Sequence, residues 1–181
     1  CAALIDRAKP DVLVIACNTA STLSLDDIRA QAKVPVVGTV PAIKPAAEQT
    51  KTGVIGILAT PGTVRRAYLD ELERRYAGGK TVIRRGSAGL VDIAERKARG
   101  QDVDQDQVAY AVKPLFDGVQ GQLIDIVVLA CTHFPLVEPE LAEAFGNAVR
   151  FVHGGSGIAR RVRALVGDQP LGDPQLPARF S

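Results

Sequence analysis

Residues 11–19 read DVLVIACNT, and residues 125–133 read DIVVLACTH. The two stretches correspond position by position. Each opens with an aspartate, runs on through aliphatic residues, and closes in Ala-Cys followed by two polar residues. An unbroken apolar run between polar residues is the pattern of a strand covered on both faces. Each run leads into a helix-like stretch, by way of residues 21–24 in the first copy and 135–140 in the second. A strand–turn–helix unit that occurs twice predicts two similar α/β halves.

The rest of the chain continues the alternation. Strands are predicted at residues 12–16, 36–40, 54–59, 81–84, 126–130 and 149–152. Helical spacing of apolar residues falls between them, at 25–32, 64–76, 90–98, 107–116, 141–145 and 158–166. Ser24 with Asp27 has the form of a capping box, Gly78 and Gly79 stop the second helix, and Pro114 disturbs the fourth. Together these predict an α/β protein with a parallel sheet. Prolines at 41 and 45 and the break near 146–150 predict a central domain over 41–150. The other domain is then built from both ends, 1–40 and 151–170. The Gly-, Pro- and Asp-rich end, residues 171–181 above all, reads as a mobile tail.

Composition narrows the function. With 46% apolar and 23% charged residues, 181 residues bury a sizeable core. A net charge of +2, from 22 basic and 20 acidic residues, gives no electrostatic case for nucleic acid or an anionic membrane. No apolar run approaches a membrane span, and the opening residues lack the pattern of a signal peptide. Three cysteines and two histidines make neither a disulfide framework nor a zinc motif, so a reducing, cytoplasmic setting is expected. Cys1 and the absence of Met are expected of a chain lacking an N-terminal segment, since residues 2–8 read as the middle of a helix. A lipidated N-terminal cysteine is the alternative.

In open α/β sheets, ligands bind beyond the carboxyl ends of the strands. Cys17 and Cys131 both lie there, each ahead of a predicted helix whose positive end stabilises an anionic sulfur or a bound carboxylate. Asn18, Thr19 and Thr132 add hydrogen-bonding groups beside the sulfurs. One thiol from each half suits a symmetric proton transfer, in which a thiolate removes a proton from one face of a stereocentre and a thiol returns one to the other. His133 is placed to hold or shuttle the Cys131 proton. A single cysteine at a strand end is ordinarily a small buried residue; the duplicated context sets this pair apart, and Cys1 lacks that context. None of the seven lysines sits at a strand end as a pyridoxal phosphate site requires. Residues 53–56, GVIG, fall short of a dinucleotide fingerprint. A cysteine protease would have no use for the mirrored second thiol.

Residues 16–21, ACNTAS, and 131–136, CTHFPL, resemble the two signature motifs of the glutamate racemases, within the aspartate/glutamate racemase family. Residues 35–45, PVVGTVPAIKP, and 56–64, GILATPGTV, resemble that family's linking segments. The likeness runs from about residue 3 to residue 166. It implies a cofactor-independent, metal-free amino-acid racemase making D-glutamate for peptidoglycan, and so serving cell-wall biogenesis and cell shape. It implies two pseudo-symmetric Rossmann-like or flavodoxin-like domains with the substrate between them. The partner is then small-molecule glutamate, without nucleic acid or membrane, in a possible homodimer. By motif match, Cys17 and Cys131 are the proton donor/acceptors, and His133 assists Cys131. Asn18, Thr19, Thr132 and His133 bind the substrate's charged groups, and Thr60 and Thr63 line the site.

Two departures accompany the resemblance. The family opens with a strand ending in Asp-Ser-Gly and a later Tyr-Gly pair, whereas only 16 residues precede Cys17. The first domain is therefore expected to be incomplete. Residues 151–157, FVHGGSG, place His153 and Gly154 where similar members carry Asp-Ser. That turn is expected either to bind an anion ahead of a helix or simply to redirect the chain. The alternatives are a related racemase for aspartate, a hydantoin or another small acid, and a non-catalytic fragment.

Overall fold

The apolar runs become six strands in two parallel sheets. The computed structural model describes residues 1–146 and 148–167. In chain order the elements are α1 (Ala2–Ala8), β1 (Leu13–Ile15), α2 (Asn18–Gln31), β2 (Val36–Gly38), α3 (Ile43–Gln49), β3 (Val54–Ala59), α4 (Pro61–Val64), α5 (Ala67–Tyr76), β4 (Thr81–Gly86), α6 (Ala88–Ala98), α7 (Gln105–Val112), α8 (Gly118–Gly121), β5 (Ile126–Leu129), α9 (Glu138–Phe145), β6 (Arg150–Val152) and α10 (Gly155–Val166). The larger sheet has the order β4-β3-β5-β6 and the smaller pairs β1 with β2. Every pairing is parallel, so each crossover passes over a face of the sheet and carries helices there. The alternation of strand and helix in the sequence required this α/β class.

The larger sheet carries the core. Every residue of β3 and β5 is buried, as expected for strands with helices on both faces. Alternation along the strands divides the side chains. Val54, Leu58, Val127 and Leu129 pack with Leu90, Val108, Val112, Phe134 and Leu141 on one face. Ile55, Ile57, Ile126 and Val128 pack with Ile43, Ala46 and Leu69 on the other. The smaller sheet is thinner: Leu13, Val37 and, on α2, Leu25 are buried, but Val14 is 38% exposed. The aspartate that opens β5 ties that strand to the loop after α3. Asp125 accepts hydrogen bonds from Thr50 Oγ1 (2.6 Å), the Lys51 N–H (2.7 Å) and Thr52 Oγ1 (3.1 Å). Burial raises its pKa, and these hydrogen bonds outweigh that and hold it below the ordinary value.

Several local expectations change. The predicted capping box at Ser24 is not a helix start. Helix α2 begins at Asn18, and the Ser24 hydroxyl donates back to the Ala20 carbonyl at 2.9 Å, the usual fate of serine inside a helix. The predicted helix over 64–76 is two helices, because Thr60 caps a short α4 with Pro61 in its first turn and α5 restarts at Ala67. The prolines near 41–45 do not interrupt the pattern throughout: Pro45 lies in the first turn of α3, where no intrahelical donor is needed. Pro114 ends α7 at Val112 and leaves a 3-10 turn over Lys113–Leu115. Strand β6 pairs with β5, so residues 150–152 belong to the larger sheet. The predicted tail at 171–181 lies outside the described residues.

Candidate active site

The carboxyl ends of β1, β3 and β5 converge on one place, and the expected residues gather there. Cys17 follows β1 in extended conformation and is the N-cap of α2. It is exposed, and its Sγ accepts the Ala20 N–H at 3.4 Å. Asn18, the first residue of α2, is buried, and its Oδ1 has no partner among the described residues. Thr19 reaches across to the larger sheet. Its hydroxyl lies 2.8 Å from that of Thr63 and 3.2 Å from that of Thr60, which are themselves 3.0 Å apart. Thr60 caps α4 by accepting the Thr63 N–H. The turn that carries both threonines is pressed onto β4 at Gly86, where a Cβ would stand 2.8 Å from Pro61 Cα. Only glycine permits that approach.

The second thiol approaches from β5. Ala130 donates its N–H to the Leu58 carbonyl at 2.7 Å, and Cys131 follows, 7% exposed. The Thr132 hydroxyl donates to the Ala16 carbonyl at 3.2 Å, which ties the end of β5 to the residue before Cys17. Cys131 is not directly ahead of an α-helix as expected. A 3-10 turn over Phe134–Val137 intervenes, and α9 starts only at Glu138. Its environment is set otherwise. Burial pushes the Cys131 thiol up, the backbone N–H groups of His133 and Phe134 pull it down, the nearby Cys17 pushes it up, and the net shift is upward. The two sulfurs thus lie within electrostatic reach of each other, one exposed and one buried. His133 Nδ1 stands 3.6 Å from Cys131 Sγ.

One residue of this cluster went unread in the sequence. Glu95, on α6, places Oε1 3.8 Å from His133 Nε2, and its Oε2 pairs with Arg99 at 2.8 Å. Nothing in the spacing of residues along α6 marks it, since only the packing of α6 against the turn after Cys131 brings it there. His153 is not part of the cluster. Its Nδ1 accepts the Gly155 N–H at 3.2 Å, and it borders a cavity of about 880 Å³ together with Arg29, Lys44, Arg75 and Arg161. Neither thiol borders that cavity. Among the described residues no group of three or more His, Cys, Asp or Glu has the arrangement of a metal site. No helix among them is long and apolar enough to cross a membrane.

The Asp/Glu/Hydantoin racemase family matches residues 1–162. The chain belongs to that family. Among the relatives of this racemase-family chain, the glutamate racemase of Sphingopyxis alaskensis is 55% identical over 166 residues, covering 92% of this chain and 62% of the relative. The glutamate racemase of Vibrio cholerae is 43% identical over 173 residues, 95% of this chain and 63% of the relative. The crystal structure of Escherichia coli glutamate racemase, in complex with L-glutamate and the activator UDP-MurNAc-ala, superposes with a TM-score of 0.86 at 42% identity. That match covers 94% of this chain and 64% of that one. The chain thus spans somewhat less than two thirds of the length of these relatives.

Proposed function

We propose that this chain carries the site of a glutamate racemase that interconverts L- and D-glutamate with two thiols and no cofactor. The observation that supports this reading most is the pairing of Cys17 with Cys131 at the ends of strands from two sheets, crossed by the Thr132–Ala16 hydrogen bond. The likeness to curated glutamate racemases at 43–55% identity supports glutamate over aspartate. The substrate sits between the two strand ends. One sulfur, as thiolate, takes the α-proton, and the other, as thiol, gives a proton to the opposite face of the carbanion. Each turnover leaves the pair with its protonation exchanged, so the reverse reaction is ready. Cys131 enters as the thiol in the resting pair, because its pKa is raised. His133 supports that proton, and Glu95 faces the far side of the imidazole.

Asn18 offers a buried carboxamide oxygen without a partner among the described residues, which suits the substrate ammonium. Thr19, Thr60 and Thr63 offer hydroxyls to its carboxylates, and Thr132, whose one hydroxyl proton goes to the Ala16 carbonyl, offers its oxygen as an acceptor for the ammonium. D-glutamate made in this way supplies peptidoglycan in the cytoplasm.

The test is racemisation of D-glutamate in deuterium oxide, following optical rotation and α-deuterium together. The expected result is racemisation with one deuteron gained per inversion. Cys17→Ala is expected to abolish inversion while Cys131 still exchanges the α-proton of one enantiomer. Inversion at the parent rate in Cys17→Ala would sink the two-thiol reading.

A further inference from the structure

A buried polar network lies directly beneath Cys17, and no step of the reaction uses it. Ser21 and Thr39 are 4% and 2% exposed. The Ser21 hydroxyl donates to the Ile15 carbonyl at 3.3 Å and accepts the Thr39 N–H at 2.9 Å. The Thr39 hydroxyl donates to the same Ile15 carbonyl at 2.8 Å. These bonds join the last residue of β1, the second turn of α2 and the residue after β2. The next carbonyl, that of Ala16, accepts from Thr132 of the other half at 3.2 Å. Two successive carbonyls just before Cys17 are therefore held, one from within the smaller sheet and one from across the site.

Among the described residues, the second half has no such network. There the chain before Cys131 is held by the Ala130–Leu58 backbone bond and by a fully buried Phe134. β5 lies between β3 and β6 with apolar clusters on both faces of its sheet. Hydrogen bonds in a buried place are directional, so the Ser21 and Thr39 ties fix the turn before Cys17 in one orientation.

We propose that Ser21 and Thr39 are positioning residues for the first proton transfer, fixing the turn so that Cys17 presents its sulfur at the head of α2 and toward Cys131. This rests on the two-thiol reading for its consequence in catalysis, but its geometric part does not. With the network intact, the Ala20 N–H reaches Cys17 Sγ. Without it, the turn relaxes and that bond is lost. A hydrogen bond to sulfur favours the anion that reacts, so its loss slows attack by Cys17 on an electrophile.

The experiment compares the full chain with Thr39→Val, which keeps the shape and removes one hydroxyl, with Ser21→Ala, and with Thr39→Ser, which restores the hydroxyl. Iodoacetamide labelling at fixed pH is followed separately at Cys1, Cys17 and Cys131 by mass spectrometry of the peptides. The Cys17 rate is expected to fall about fivefold in Thr39→Val and in Ser21→Ala, with Cys1 and Cys131 unchanged and Thr39→Ser near the parent. The kcat for glutamate is expected to fall by a similar factor with KM within twofold. An unchanged Cys17 rate in Thr39→Val, or a loss that Thr39→Ser does not restore, overturns the proposal. If Ser21→Ala does not fold, Thr39→Val alone decides. A parent chain that folds but does not racemise glutamate would count against the racemase reading and leave the labelling test standing.

Discussion

Cys17 and Cys131 carry the same letter in the same local motif, yet their surroundings differ. Cys17 is exposed at the head of a helix, and Cys131 is buried against Phe134 with His133 beside it. A two-thiol reaction needs one sulfur ionised and one protonated, so its kcat/KM follows the singly protonated pair and shows two macroscopic limbs. Burial raises Cys131, with backbone N–H groups partly opposing. The alkaline limb of kcat/KM, where the second proton leaves, is therefore expected above the ordinary thiol range. Removing the imidazole in His133→Asn is expected to lower kcat/KM about a hundredfold, the scale of a positioned acid–base group. A pH–rate series on the two proteins checks both. A limb at or below the ordinary thiol value would mean that Cys131 is not the resting donor.

At the scale of elements, the opening aspartates of the two echoed strands show what a shared pattern leaves open. Asp125 takes three hydrogen bonds from the 50–52 loop, whereas Asp11 is exposed. The letter predicts a strand start in both places; the clamp depends on a loop 75 residues away. The same limit explains the helix starts. The apolar spacing located α2, but its cap is Cys17, a residue that sequence rules do not favour as a cap. The strand ends, which place the thiols, were legible because continuous apolar runs are short and sharply bounded.

The Asp125 clamp has a measurable consequence. A carboxyl whose folded pKa lies below its unfolded value, about 3.9, stabilises the fold above that unfolded value. That contribution is lost as pH falls through the folded pKa. Asp125→Asn is expected to lower stability at pH 7 by about 1–3 kcal/mol. It is also expected to flatten the decline of Tm below about pH 4. Thermal melts from pH 7 to pH 3 read both effects, and parallel Tm curves for the two proteins would refute the clamp.

At the scale of the whole molecule, the duplicated motif made the two-half plan legible, and the 16 residues before Cys17 already led to the expectation of a smaller first half. One half rests on a four-stranded sheet with a core on each face, the other on two strands. Thr19 of α2 meets Thr60 and Thr63 of the α4 turn only because the halves close on each other. A racemisation across this junction has to obey a symmetric law. L- and D-glutamate are mirror images, so their equilibrium constant in water is one. On the proposed reading, the ratio of kcat/KM in the two directions must then be one for the parent and for every variant. Thr19→Val removes the hydroxyl that spans the junction and, on the proposed reading, a donor to the substrate carboxylate. A hydrogen bond to a charged group contributes about 1.5–3 kcal/mol, so kcat/KM is expected to fall about 10- to 150-fold. The fall should be the same from either enantiomer, while kcat and KM taken singly shift unequally, since each enantiomer meets a different thiol first. Initial rates from both enantiomers on the parent and Thr19→Val measure this. A variant whose kcat/KM differs between directions would show that the chain consumes one enantiomer in another reaction rather than interconverting the two.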